Sequence, residues 1–215
     1  MTGPLLAVLD YGIGNLHSAH QSLCHVGADA RLTADHGLIA DADAVVLPGV
    51  GAFGACMRAL HEAGLAEVAI EAAADPRPFI GICVGMQMMY QGSLESPGVE
   101  GLGILPGTVE WLPSDTIRPQ MQWNRIDLTP EVGATDPLLD GLDGAWMYFV
   151  HSLVGPPAPE VSATCSYGGP QTAAVHTGTT WATQFHPEKS AKAGLALLGN
   201  FVKLAAAAKN EAGAA

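Results

Sequence analysis

With 215 residues, a net charge of −12 and only nine Lys and Arg, the chain is long enough to bury one substantial α/β core and too acidic for a nucleic-acid surface. The scarcity of cations also weighs against a site for a multiply phosphorylated substrate, while plain solubility accounts for most of the carboxylates. The first residues carry no basic stretch ahead of a long apolar run, and four scattered cysteines form no Cys-x-x-Cys pair. A reducing cytoplasmic setting is therefore expected, with no membrane partner, metal or cofactor.

Residues 5–9 are continuously apolar and predict a buried strand. A glycine-rich turn, Asp10-Tyr11-Gly12-Ile13-Gly14-Asn15, follows, and Asn15 is placed to cap a helix whose inner face is Leu16, Ala19, Leu23 and Val26. That turn lacks the Gly-x-Gly-x-x-Gly spacing, which excludes a dinucleotide site. A second apolar run over 44–47 ends at Pro48-Gly49-Val50-Gly51, and Phe53, Met57 and Leu60 then mark a helix closed by Gly64. An Ala-rich helix over 65–74 is broken by Asp75-Pro76. Strand and helix thus alternate through the first ninety residues, which predicts βαβ units and a parallel sheet.

From residue 101 the texture changes to short β-type runs over 108–112, 123–128, 147–153, 173–176 and 180–185, separated by Gly and Pro turns. They predict mixed or antiparallel strands that extend the sheet. A last helix starts near residue 190, with Leu195, Leu198, Val202 and Leu204 or Ala205 facing inward. The expected organisation is a single domain over 1–209 and a disordered tail over 210–215. The expected fold is an open, mixed, mostly parallel sheet flanked by helices.

Gly81-Ile82-Cys83-Val84-Gly85 follows the apolar run Pro78-Phe79-Ile80 and reads as a cysteine form of the nucleophile elbow. The strand would end at Ile82, turn at Cys83 and open into a helix through Met86, Met88 and Met89, which are read as core packing. Gly81 and Gly85 supply the absence of bulk that such a turn needs, and a helix N-terminus favours thiolate over thiol at Cys83. Alone, the pattern leaves open a buried small hydrophobe.

A thiolate nucleophile needs a base and a group that orients the base. Gln184-Phe185-His186-Pro187-Glu188-Lys189-Ser190 follows a strand and precedes the last helix, so it belongs at a strand's carboxyl end, where Cys83 also lies. His186 and Glu188, two apart with Pro187 between them, project to one side if extended. Each alone has an ordinary structural explanation; with Cys83 they compose a Cys-His-Glu triad. The oxyanion donors would be the Val84 amide and a group from Gly49, Val50 or Gly51 at the end of a neighbouring strand. The remaining histidines show no metal-ligand spacing.

Together these segments resemble the class I glutamine amidotransferases, whose architecture is flavodoxin-like. More narrowly they are similar to the glutaminase subunits of imidazole glycerol phosphate synthases. The resemblance spans about residues 5–205 and includes Asp10 to Leu16, Leu47 to Gly54 and Glu100-Gly101-Leu102-Gly103; the opening Asp10-Tyr11-Gly12, the Pro48-Gly49-Val50-Gly51 loop and Tyr148-Phe149-Val150-His151-Ser152 narrow it. It implies hydrolysis of L-glutamine to glutamate and ammonia through a thioester on Cys83, with His186 as base and then acid. Gln87 and Glu95 match positions that hold glutamine. The ammonia would pass, within a heterodimer, to a (β/α)8 cyclase subunit that makes imidazole glycerol phosphate and aminoimidazole carboxamide ribotide in histidine biosynthesis. Met121, Trp123 and Lys189 would lie at that interface, and the Gly49–Val50 peptide would turn to complete the oxyanion hole.

One segment departs from the family pattern: Gln120 and Gln122 stand in Pro119-Gln120-Met121-Gln122-Trp123-Asn124 where a histidine and a glycine are usual. If the glycine serves a positive φ, Gln122 carries strain of about 1 kcal/mol or more. The competing readings are the amidotransferase of another pathway, a silent docking subunit, and a free-standing cysteine hydrolase.

Overall fold

The computed structural model describes residues 3–13 and 15–212, the last two without their side chains. Gly14, in the expected glycine-rich turn, and residues 213–215, in the expected tail, lie outside it. The first half runs β1 (Leu5–Leu9), α1 (Leu16–His25), β2 (Asp29–Thr33), α2 (His36–Asp41), β3 (Ala44–Gly49), α3 (Phe53–Glu62), α4 (Ala66–Ala74), β4 (Phe79–Cys83) and α5 (Val84–Met89). The second half runs β5 (Gly92–Ser93), β6 (Thr108–Trp111), β7 (Gln120–Arg125), β8 (Asp127–Leu128), β9 (Trp146–His151), β10 (Leu153–Val154), β11 (Val161–Ser166), β12 (Pro170–Thr177), β13 (Thr180–Thr183) and α6 (Ala191–Ala212).

The main sheet has eight strands in the order β2-β1-β3-β4-β13-β12-β11-β8. The block from β2 to β13 is parallel, and β12, β11 and β8 continue it antiparallel. This is the mixed, mostly parallel sheet that the sequence predicts. Strands β1, β3 and β4 are buried almost throughout, as continuous apolar runs between helices should be. Two smaller pieces sit apart from the sheet: a three-stranded unit β10-β6-β5 and an antiparallel ribbon β7-β9.

Strands β2, β5 and β11 and helix α2 have no counterpart in the sequence reading. Strand β2 (DARLT) is a half-buried edge strand paired to β1 alone, so its polar alternation hides it. Helix α2 is one turn and a half, capped where the Asp35 side chain accepts from the Leu38 amide. At the other end, α6 continues through Ala212 and takes in the first three residues of the expected tail. Its inner face also differs: Leu197, Leu198, Phe201, Val202 and Ala205 are buried, while Leu195 is half-buried. Among the described residues α6 is the one helix long and apolar enough to cross a membrane, yet these side chains pack into the core.

The topology brings two chain segments distant in sequence side by side. Strand β13 pairs parallel with β4, Thr183 opposite Ile82, so both chains leave the sheet at the same end. On the other side of β4, β3 places Gly49 opposite Cys83.

Candidate active site

Cys83 ends β4 with φ 57° and ψ −111°, one of two non-glycine residues at positive φ among those described. Such a conformation costs on the order of 1–3 kcal/mol and persists only where its surroundings enforce it. Here they do. A side chain at Gly81 would strike the Met89 sulfur, one at Gly85 the Leu47 carbonyl, and one at Gly49 would come within 2.6 Å of the Gly85 amide. The three glycines let β3, the turn and the start of α5 nest against one another, leaving Cys83 nowhere to relax.

His186 and Glu188 occupy the short 3-10 turn and its entry beyond β13. His186 Nδ1 lies 2.7 Å from Glu188 Oε1, and both side chains are only 2% exposed. Burial pushes the histidine toward its neutral form, but hydrogen bonds to Cys83 and Glu188 outweigh it and hold the pKa up to about 10. The ring thus carries a proton through the neutral range. Backbone bonds fix its position: the His186 amide donates to the Tyr148 carbonyl at 3.0 Å, and the Ser190 hydroxyl donates to the His186 carbonyl at 2.6 Å.

Asn15 does not cap α1 as its position predicts, since its side chain makes no capping bond. Its amide instead donates to Glu188 Oε1 at 3.4 Å, and the Ser18 hydroxyl donates to Asn15 Oδ1 at 2.9 Å. No local signal marks this role, because the contact joins the first and last fifths of the chain.

Cys83, His186, Val50, Gly51, Val84, Gln87, Glu95 and Lys189 all line one cavity of about 530 Å³. Asn15, Pro119 and the β9–β10 segment Val150 to Leu153 complete it, and the sequence reading gave none of these a place in it. Glu188 stands behind His186, and Gly49 lies beneath the cavity in register with Cys83. Glu95 accepts from the Phe53 amide at 2.6 Å, and the Ser96 hydroxyl accepts from Gly54, so the pair cap the start of α3. Gln87 is buried, and its amide nitrogen donates to the Leu153 carbonyl and to Gln184 Oε1, each at 3.1 Å. Gln184 in turn donates to the Cys83 sulfur at 3.9 Å.

Met121 and Trp123 do not reach the cavity. They lie on the outer face of the β7-β9 ribbon, opposite Val150 and Tyr148, and are 66% and 45% exposed. Trp146 on the same face is 55% exposed, so the ribbon presents an apolar surface beside the cavity mouth. Trp123 meets Tyr148 edge-on, and Tyr148 in turn lies against His186.

The two glutamines of the departing segment resolve differently. Gln122 pairs with Phe149 inside β7 and has no positive φ, so the strain expected of it does not arise. Gln120 is fully buried on the inner face, its amide 3.1 Å from His151 Nε2. Burial drives the His151 pKa down to about 4, with the Leu153 carbonyl opposing and His186 adding to the fall. The neutral ring donates from Nδ1 to Leu153 at 2.7 Å and must accept at Nε2. A Gln120 amide turned with its NH2 toward His151 meets that need and pairs the Gln120 nitrogen that is otherwise unpartnered. Among the described residues no group of three His, Cys, Asp or Glu is arranged to hold a metal ion.

The profile of the family Glutamine amidotransferase class-I matches residues 7–204. The protein named imidazole glycerol phosphate synthase subunit HisH of Methanothermobacter thermautotrophicus is 43% identical over 201 residues, covering 93% of this chain and 98% of that protein. Its namesake from Synechococcus elongatus is 46% identical over 213 residues, covering 96% of each. Among solved structures, a putative GMP synthase component from Thermoplasma acidophilum superposes with a TM-score of 0.72 at 19% identity, covering 99% of both chains. The glutaminase domain of Trypanosoma brucei CTPS gives 0.64 at 15%, covering 96% and 94%. At those identities the two structures share the fold and nothing narrower.

Proposed function

The chain belongs to the class I glutamine amidotransferase family, and from that premise we propose that it is the glutamine amidotransferase subunit of an imidazole glycerol phosphate synthase, serving histidine biosynthesis. The observation that carries the reading is the meeting of a strained Cys83 with the 2.7 Å His186–Glu188 pair at one cavity. Relatives above 40% identity over nearly their full length support the pathway.

In this reading Cys83 Sγ attacks the side-chain carbonyl carbon of L-glutamine, and His186 holds the thiol proton. Amides of Val84 and of the segment Gly49, Val50 and Gly51 receive the developing oxyanion. Collapse breaks the C–N bond, His186 gives its proton to the departing ammonia, and a γ-glutamyl thioester remains on Cys83. Water then adds to the thioester, His186 takes its proton, and glutamate leaves as the thiol is restored. Glu188 fixes the ring through Nδ1, with Asn15 behind it. Glu95, free on the side turned away from Phe53, suits the α-ammonium of the substrate. Gln87 spends its donors on Leu153 and Gln184, so it shapes the pocket and offers glutamine its carbonyl oxygen.

The ammonia passes to a (β/α)8 cyclase subunit docked over the ribbon face that carries Met121 and Trp123, with Lys189 at the cavity rim. Four unpaired cysteines suit a reducing cytoplasm. The test is Cys83→Ala in complex with that cyclase. Glutamine-dependent synthesis should vanish while synthesis on added ammonium continues. Loss of both reactions would make Cys83 structural and refute the assignment.

A further inference from the structure

Two buried groups behind the cavity are not used by the chemistry above. Tyr11, 5% exposed, donates its hydroxyl to the Pro48 carbonyl at 2.6 Å. Cys56, fully buried in the second turn of α3, donates its thiol to the Val50 carbonyl at 3.1 Å. Burial raises the pKa of both groups, so each keeps its proton and remains a donor at neutral pH. Their acceptors are alternate carbonyls of the segment that faces Cys83.

A peptide unit is planar, so fixing its carbonyl fixes the direction of its N–H as well. The Pro48–Gly49 and Val50–Gly51 units are therefore both held from behind. The Gly49–Val50 unit lies between them. It can turn about its two flanking bonds while its neighbours stay in place, and Gly49 supplies the torsional latitude that such a turn needs. The Cys56 anchor is itself fixed, since Glu95 and Ser96 hold the amides of Phe53 and Gly54 at the start of the same helix.

We propose that Tyr11 and Cys56 are positioning residues, two fixed pivots that confine movement of the oxyanion segment to the single Gly49–Val50 peptide. The proposal rests on the reading of residues 49–51 as oxyanion donors. Without the pivots the whole segment swings, and the donor is aimed at the reacting carbon for a smaller share of the time. The loss falls on the chemical step rather than on glutamine binding.

Two measurements on Tyr11→Phe, Cys56→Ala and Cys56→Ser test this. Amide hydrogen exchange over residues 49–52 of the free chain should rise at least tenfold in Tyr11→Phe and Cys56→Ala, and stay near wild type in Cys56→Ser, whose hydroxyl still donates. In the complex with the cyclase, kcat for glutamine should fall at least fivefold in the first two variants, with KM within twofold and ammonium-dependent synthesis unchanged. Wild-type exchange in both Tyr11→Phe and Cys56→Ala overturns the proposal whatever the turnover. So does a Cys56→Ser variant as impaired as Cys56→Ala, because packing rather than the hydrogen bond would then matter. A wild-type complex that releases no glutamate refutes the functional reading instead and leaves the exchange experiment to decide this one.

Discussion

The Tyr148 amide donates to the Ser190 hydroxyl at 2.9 Å, and the same hydroxyl donates to the His186 carbonyl at 2.6 Å. One buried side chain thus stitches the strand beneath the ribbon's outer face to the segment that carries His186, the proposed base.

Ser190→Ala removes both bonds and strands the Tyr148 amide. An unsatisfied buried donor costs about 1–3 kcal/mol. In a chain of this length each kcal/mol lowers Tm by about 2–4 °C, so a fall of roughly 2–12 °C is expected in a thermal melt. Glutamine turnover should fall with it, because His186 loses part of its anchorage. A Tm within about 1 °C of wild type would contradict this account.

Two histidines shape the dependence of stability on pH, in opposite directions. His186 binds its proton more tightly folded than unfolded, with a pKa near 10, so its contribution is complete below about pH 6.5 and is lost as pH climbs toward 10. His151 binds its proton less tightly folded, with a pKa near 4, so its contribution is complete above about pH 6.5 and is lost as pH falls toward 4. Stability should therefore peak near neutrality. Urea titrations between pH 4 and 10 check this. His151→Asn should flatten the acid limb and Glu188→Gln should weaken the alkaline one; a wild-type curve with no slope on either side would reject both assignments.

Trp123 stands 45% exposed at the centre of the ribbon face, between Met121 and Trp146. Trp123→Asp should leave Tm near wild type, since little of the ring is in the core. A hot-spot aromatic contributes at least about 2 kcal/mol to binding, so with Trp123 in that role the Kd for the cyclase should rise about 30-fold. Calorimetric titration measures it, and an unchanged Kd would mean that the partner docks elsewhere.

The legible parts of this molecule were those whose physics is local. Gly81, Cys83 and Gly85 announce the turn because a side chain at either glycine collides with atoms a few residues away or on the adjoining strand. The apolar runs of β1, β3 and β4 announce strands buried on both faces. Strand β2 escaped because an edge strand needs no apolar run, and the polar DARLT segment satisfies its single neighbour. Asn15 escaped because its partner, Glu188, arrives only when the two ends of the chain fold together. The strain that a positive φ would bring at Gln122 is absent because the backbone there is ordinary strand, which residue type alone does not reveal.

Strands β4 and β13 are adjacent in the sheet although nearly a hundred residues of chain separate them, and that excursion contains the ribbon and the three-stranded unit. In the proposed function, nucleophile and base are set by the pairing of two neighbouring strands, whereas the docking surface belongs to what is inserted between them. Lineages can thus redraw the outer face of the ribbon to suit a new acceptor enzyme, provided the cavity-lining residues of the same insertion, Glu95 and Val150 to Leu153, are kept. A graft of the exposed ribbon residues Met121, Trp123 and Trp146 between two such proteins should shift the choice of partner, while Glu95, Tyr148 and Leu153 of the same excursion stay with the cavity.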